Sequence, residues 1–106
     1  MLTETERSEL IRRADELYHP CSFGIHVCGD KDGEAATVAN VYAHNEAQAR
    51  AIFEAAKAEA AGGESGDEFD LVVDLNLGPD NLHVEDFCIR RQMLDRCLSA
   101  ARAVAA

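Results

Sequence analysis

The residues best suited to metal or thiol chemistry lie close together in the stretch HPCSFGIHVCGD, which contains His19, Cys21, His26 and Cys28. A closed zinc site needs its donors to converge within about 2.0–2.3 Å of one ion. If the stretch is a strand, alternate side chains point to opposite faces. Cys21 then shares the apolar face of the strand, and only His26 and Cys28 share the other face. We therefore predict no closed metal site here, with a metal or thiol site around His26 and Cys28 as the alternative.

The four cysteines are predicted to be free thiols. Cys21 and Cys28 lie seven residues apart, roughly 23 Å along a strand at about 3.3 Å per residue, so they cannot bond to each other. Cys88 and Cys97 fall on opposite sides of a straight helix, and no C-x2-C pair is present. We expect Cys21 and Cys97 to be small core residues, with a bond between them left open, and Cys88 to have no chemical role.

Catalytic groups are not indicated. Asp70 and Asp74 share a strand face but lie roughly 13 Å apart, too far for a working carboxylate pair. His44 and His83 could each serve as a general base, but a surface position is the simpler interpretation. The sequence contains no nucleophile elbow, H-E-x-x-H motif, phosphate-binding loop or dinucleotide fingerprint. We expect a protein that is not an enzyme and has no cofactor.

Composition limits the classes of partner. The chain has 106 residues, 47% of them hydrophobic, which predicts a single domain spanning residues 1–106. Twenty acidic residues against ten Lys and Arg give a net charge of −10. Direct binding to nucleic acid or to an anionic membrane is therefore not expected, because phosphate binding requires clustered cations. Neither a membrane span nor a secretion signal is indicated, and a cytoplasmic location is expected.

Hydrophobic periodicity gives the order of elements. Thr3 and Glu6 have capping-box spacing before a helix over about 4–18, and Asn45 can cap a second helix that ends at Gly62-Gly63. A hairpin is predicted from two apolar runs, 22–29 and 35–43, joined by a turn at 30–33. A third strand follows at 69–77. Residues 82–84 are either a short return strand or the start of a last helix that reaches about Ala103.

These elements predict an α+β fold in the order α-β-β-α-β-α. We expect a mainly antiparallel sheet of three strands, with a fourth left open, and helices on one face in a two-layer arrangement. The third strand is expected beside the first, and the second face of the sheet is expected to be open. Hairpin register places Asn40 and Tyr42 on the buried face. Because buried Asn is unusual, a register error of one residue is the alternative.

The stretch between Lys57 and Arg90 contains no Lys or Arg and holds most of the excess negative charge. It predicts a docking surface for a basic, nucleic-acid-binding site on another protein. The residues assigned to this surface are Glu64, Asp67, Glu68, Asp70, Asp74, Asn76 and Asp80. Small acidic proteins of this class include immunity proteins and phage anti-defence (anti-CRISPR-like) inhibitors, so an inhibitor acting on a protein partner is the first functional prediction.

The alternative functions rest on other features. Ile89 to Val104 has an apolar face that covers half of a helix, so the C-terminal helix could join two copies in a homodimeric scaffold or chaperone-like adaptor. The remaining alternative is the metal or thiol site around His26 and Cys28.

Overall fold

The computed structural model describes residues 2–19, 21–61 and 70–106, and within them the chain forms an α+β fold. The predicted order of elements is confirmed, with one further strand before the last helix. The elements are α1 (Glu4–Leu17), β1 (Phe23–Lys31), β2 (Glu34–Tyr42), α2 (Glu46–Ala61), β3 (Leu71–Leu77), β4 (Glu85–Ile89) and α3 (Leu94–Ala105), with a 3₁₀ turn at Arg91–Met93.

The predicted caps are present at the starts of two helices. The Thr3 hydroxyl accepts a hydrogen bond from the backbone N–H of Glu6 at 3.1 Å, and this fixes the first turn of α1. Asn45 Oδ1 accepts from the backbone N–H of Gln48 at 2.8 Å at the start of α2. No helix within the described ranges has both the length and the apolar character needed to cross a bilayer.

The four strands form one antiparallel sheet in the order β2-β1-β3-β4. The predicted place of the third strand beside the first is confirmed. The fourth strand is present, but it begins at Glu85 and not at residues 82–84, which form a turn. The assignment of residues 85–89 to the last helix is therefore wrong. Phe87 and Ile89 pair with Val73 and Leu71 and extend the apolar face of β3. These contacts stabilise the segment more as a strand than as part of a helix.

The β1–β2 hairpin turns at Asp32 and Gly33, which both have positive φ, as a two-residue type I′ turn requires. Between Val27 and Cys28 the register shifts, because Val27 faces Ala39 whereas Cys28 faces Thr37. Val38 is thus an extra residue in β2, a β-bulge. On the side of the bulge away from the hairpin turn, the strand pairing differs by one residue from the predicted register.

Helices cover both faces of the sheet. The main core lies between one face and the pair α2 and α3, and includes Ile52, Phe53, Leu71 and Leu98. A second, smaller cluster on the other face joins Ile11 and Ala14 of α1 to Cys28 and Val72. The predictions of helices on one face and of an open second face are therefore wrong. The small side chains of Cys28 and Val72, which lie among the polar residues of that face, allow α1 to pack closely on it.

Candidate metal centre

The sheet face beneath α1 carries a row of polar side chains that the fold buries. His26 on β1 lies directly opposite Asp74 on β3, and it faces Asn40 on β2. His26 and Asp74 are both 0% exposed, and Asn76, the next residue of β3 on this face, is 2% exposed. Buried polar groups need hydrogen-bond partners, so this row must be satisfied by groups that the chain itself supplies.

His83 is brought to this row by the turn between β3 and β4. Its backbone has a φ of +56°, in the left-handed region that non-glycine residues adopt at some cost. Asn76 Oδ1 accepts the backbone N–H of His83 at 2.9 Å and holds it in that conformation. The ring then lies over Asp74, with Nδ1 of His83 2.6 Å from Asp74 Oδ1.

The row continues across to α1 and to β2. Oδ2 of Asp15, on α1, lies 2.8 Å from Nε2 of His83. Oδ2 of Asp74 lies 3.1 Å from Nδ1 of His26, and Nε2 of that ring lies 3.0 Å from the Thr37 hydroxyl. These contacts form one chain of hydrogen bonds that joins α1, the β3–β4 turn, β3, β1 and β2.

Tyr18 closes the centre from the α1 side. Its ring stacks on His26 with the centroids 5.6 Å apart, and its hydroxyl contacts the hydroxyl of Tyr42. Tyr42 lies on the same face as His26, contrary to the predicted register. The two tyrosines and α1 thus shield the His26 side of the centre from water.

The carboxylates control the charge of His83. Burial favours the neutral ring, but the hydrogen bonds and negative charges of Asp74 and Asp15 outweigh it and raise the pKa of His83 to about 9. In the absence of an ion the ring is therefore an imidazolium at neutral pH. Two carboxylates therefore contact one ring in a mostly buried place.

Two groups of donor atoms in this cluster converge closely enough to hold a metal ion. The first is Asp15, His26 and His83; the second is His26, Cys28 and Asp74. In each group, the donor atoms lie within 4.8 Å of one another. Tetrahedral sites with bonds of about 2.0–2.2 Å place donors roughly 3.3–3.6 Å apart, so small shifts would suffice to enclose an ion.

The chemistry of the donors favours the first group. A metal-bound cysteine must be a thiolate. Burial, followed by the negative charges of Asp74 and Asp15, raises the pKa of the Cys28 thiol well above its usual range, so an ion bound there would have to displace a tightly held proton. The second group is also fully buried, whereas the side chains of His83 and Asp15 retain 17% and 23% exposure, which gives the first group a route to solvent.

Asp74 orients both histidines of the first group. Its Oδ2 lies 3.1 Å from Nδ1 of His26 and its Oδ1 lies 2.6 Å from Nδ1 of His83. Nε2 of His26 then contacts the Thr37 hydroxyl, and Nε2 of His83 contacts Asp15. Metal-binding histidines characteristically donate the second ring N–H to a carboxylate in this way, which fixes the tautomer and the direction of the ligand atom. The arrangement supplies two imidazoles with the same second partner and one additional carboxylate, Asp15.

Two buried oxygens in this region lack a hydrogen-bond partner among the described residues. They are Oδ1 of Asp15 and Oδ1 of Asn40, the residue opposite His26. An orphaned buried oxygen is costly unless water or an ion satisfies it. Both belong to residues at the two-histidine cluster, which is independent support for an additional ligand there.

The order Thr37–His26–Asp74 also matches the order of groups in a nucleophile triad. Nucleophilic attack requires that a substrate reach the hydroxyl and the imidazole together. His26, however, has no exposed surface, and Tyr18 stacks on its ring. The geometry therefore favours ion binding over acyl transfer.

The residues predicted for partner binding do not form one surface. Asp74 and Asn76 are buried beneath α1, so their predicted outward position is wrong, since α1 covers the face that was expected to be open. Asp70 is half exposed. Its carboxylate accepts hydrogen bonds from the backbone N–H of Arg91 at 2.8 Å and from Nε of Arg91 at 3.3 Å. Asp80 is exposed. Glu64, Asp67 and Glu68 lie outside the described residues.

The cysteine predictions are confirmed in part. All four residues are free thiols, and Cys97 is buried as expected. Cys21 is exposed and precedes β1, so its predicted core position is wrong. His26 and Cys28 do share a face, and with Asp74 they make up the second of the two donor groups.

Sequence reasoning missed Asp15 entirely and treated His83 as a surface residue. A signal for Asp15 existed in the spacing of α1. Ile11, Ala14 and Tyr18 recur as a helical stripe that faces the sheet, and Asp15 falls inside that stripe. An acid within an apolar stripe indicates a partner on the facing element. His83 carried no such signal, because its position depends on the conformation of the β3–β4 turn.

No protein-family model matches the chain, and neither a curated protein nor a solved structure matches it significantly.

Proposed function

We propose that the chain binds a divalent transition-metal ion, with Zn²⁺ as the reference ion, through Asp15, His26 and His83. The observation that carries the proposal is that one ligand atom from each of these three residues lies within 4.8 Å of the others, beside Asp74, whose two oxygens contact Nδ1 of both histidines. Two imidazoles and one carboxylate are a common protein ligand set for Zn²⁺ and for non-haem Fe²⁺, with remaining positions for water.

Charge supports an ion over a purely structural hydrogen-bond network. Asp15 and Asp74 place two carboxylates against the one ring of His83. A divalent ion bound there would add two positive charges beside these two carboxylates. A cation stabilises carboxylates that are gathered in a mostly buried place, so this arrangement supports the ion-bound state.

The first experiment is metal analysis and titration. Protein purified without chelator is expected to contain close to one equivalent of metal, and protein stripped with chelator is expected to take up one Zn²⁺ in calorimetry. His83→Gln and Asp15→Asn should each weaken binding at least tenfold. His44→Gln is the matched control, since His44 is exposed at the start of α2. Equal affinity in His83→Gln and the parent protein would rule out this centre.

Cobalt distinguishes the two donor groups. Co²⁺ bound to nitrogen and oxygen gives visible ligand-field bands, whereas a thiolate ligand adds an intense near-ultraviolet charge-transfer band. We expect the visible bands alone, because the proposed ligands Asp15, His26 and His83 bind through oxygen and nitrogen. A charge-transfer band that disappears in Cys28→Ser would assign the ion to His26, Cys28 and Asp74 instead.

The acidic inhibitor function remains a second proposal, supported by the net charge of −10 and by the exposure of Asp80 and part of Asp70. Its partner would be a protein with a basic surface, and its location would be the cytoplasm. The burial of Asp74 changes the test, since a variant there would disturb the core. Asp70→Asn with Asp80→Asn should weaken a salt-sensitive complex, and an unchanged affinity would count against the proposal.

The homodimer through the C-terminal helix also remains a proposal. Much of the apolar side of α3 is occupied within the chain, since Cys97, Leu98 and Ala101 are buried in the main core. Sedimentation at micromolar concentration tests it, and a monomer there would contradict it.

A further inference from the structure

Helix α1 packs on the sheet through a small apolar cluster and through the candidate metal centre. Ile11 and Ala14 are buried against Cys28 and Val72, and Leu2, Leu10 and Cys88 pack on the same cluster. An ion pair between Arg7 and Asp86, at 3.3 Å, adds a partly buried contact. At the centre, Asp15 contacts His83, and Tyr18 contacts His26 and Tyr42.

The donors of the centre are divided between α1 and the sheet. Asp15 lies on α1, whereas His26 lies on β1 and His83 lies in the turn between β3 and β4. A complete donor set therefore exists only while α1 is in place. An ion that needs all three donors binds the closed arrangement and not the open one, so it shifts the equilibrium toward closure.

We infer, on the basis of the proposed function, that the ion acts as a latch that fastens α1 over the second face of the sheet and so controls access to that face. Without the ion, α1 opens locally more often than the rest of the fold. Proteins open locally, element by element, at free energies below that of global unfolding.

Cys28 and Cys97 make this inference measurable. Cys28 is 0% exposed and lies beneath Ile11 and Ala14, so a reagent reaches it when α1 lifts. Cys97 is 1% exposed on the opposite side of the sheet, where its thiol contacts the backbone oxygen of Ala56 on α2 at 3.4 Å. Opening of α1 leaves Cys97 covered, so this residue reports only on other motions.

The experiment compares alkylation of the two thiols by iodoacetamide in stripped protein and in protein with one bound Zn²⁺, at one fixed pH, with peptide mass spectrometry. Zinc at about 100 times its dissociation constant should slow alkylation of Cys28 by about 10- to 100-fold. The rate at Cys97 should change by less than twofold. In Asp15→Asn, zinc should leave the Cys28 rate unchanged, because the donor on α1 is lost.

The outcomes separate the two hypotheses. If no zinc binds, the proposed function fails first. If one zinc binds but the Cys28 rate does not change, or Cys97 slows by the same factor, the latch is overturned while the metal site stands. If zinc still protects Cys28 in Asp15→Asn, the ion shields the thiol without α1, and this result also overturns the latch.

Discussion

Asp15 and His83 lie 68 positions apart in the sequence, and their side chains meet with Asp15 Oδ2 at 2.8 Å from His83 Nε2. This contact joins the first helix to the turn between the third and fourth strands. The same ring contacts Asp74 of β3 through its other nitrogen. His83 is thus the residue that links a helix, a turn and a buried strand through the two nitrogens of one ring.

The first prediction concerns stability in the absence of metal. The pKa of His83 is raised from 6.5 to about 9, so its protonated form stabilises the folded state. This contribution is fully present below pH 6.5 and is lost as the pH rises through 9. We expect the unfolding free energy of the stripped protein to fall by about 2–3 kcal/mol over this window, as measured by urea denaturation.

His83→Gln should be less stable at pH 6.5 and should show a much smaller decline between pH 6.5 and 9. His44→Gln, the control, should keep the full decline. The raised pKa of the Cys28 thiol destabilises the fold only above about pH 9, outside this window. A decline in His83→Gln as large as in the parent protein would assign the effect to another group.

The second prediction concerns proton release on metal binding. An ion must displace the proton that His83 carries at neutral pH, so zinc affinity should rise with pH up to about 9. Calorimetry in buffers of different ionisation enthalpy should give close to one proton released per zinc at pH 7. Binding without proton release at pH 7 would mean that His83 is not a ligand.

The third prediction concerns Asp74. Its carboxylate is fully buried and contacts both histidines, so Asp74→Asn loses a charge and places an amide N–H against a ring N–H. We expect destabilisation by about 2–4 kcal/mol in urea denaturation. Asp80→Asn, at an exposed residue in the turn that follows β3, should change stability by less than about 0.5 kcal/mol. Similar midpoints for the two variants would contradict a buried role for Asp74.

Much of the fold could be predicted from local patterns. The alternation of apolar residues in Leu71–Leu77 and the caps at Thr3 and Asn45 are local features, and the structure places a strand and two helix starts there. Local patterns failed where a tertiary contact decides the outcome. The bulge at Val38 shifts the register of β2, and no residue in the sequence marks it as an extra residue.

The centre could be predicted only in part, for the same reason. Strand parity correctly placed His26 and Cys28 on one face, but polar residues on that face were taken as evidence that it was exposed. Asp74 and Asn76 alternate with core residues, as surface residues of a half-buried strand do, and only the position of α1 makes them buried. Asp15 and His83 come together through tertiary structure alone, so no spacing in the sequence reveals them as partners.

The last prediction concerns Asn76, which positions a ligand without touching the ion. Its side-chain oxygen accepts the backbone N–H of His83 and supports the left-handed conformation of that residue. Asn76→Ala should therefore lower zinc affinity about 10- to 100-fold, in the range found for lost second partners of metal ligands. Asn81→Ala serves as the control, because Asn81 is exposed in the turn that contains His83. Circular dichroism and urea midpoints establish that the variants are folded; a folded Asn76→Ala with parental affinity would show that the turn holds His83 without this hydrogen bond.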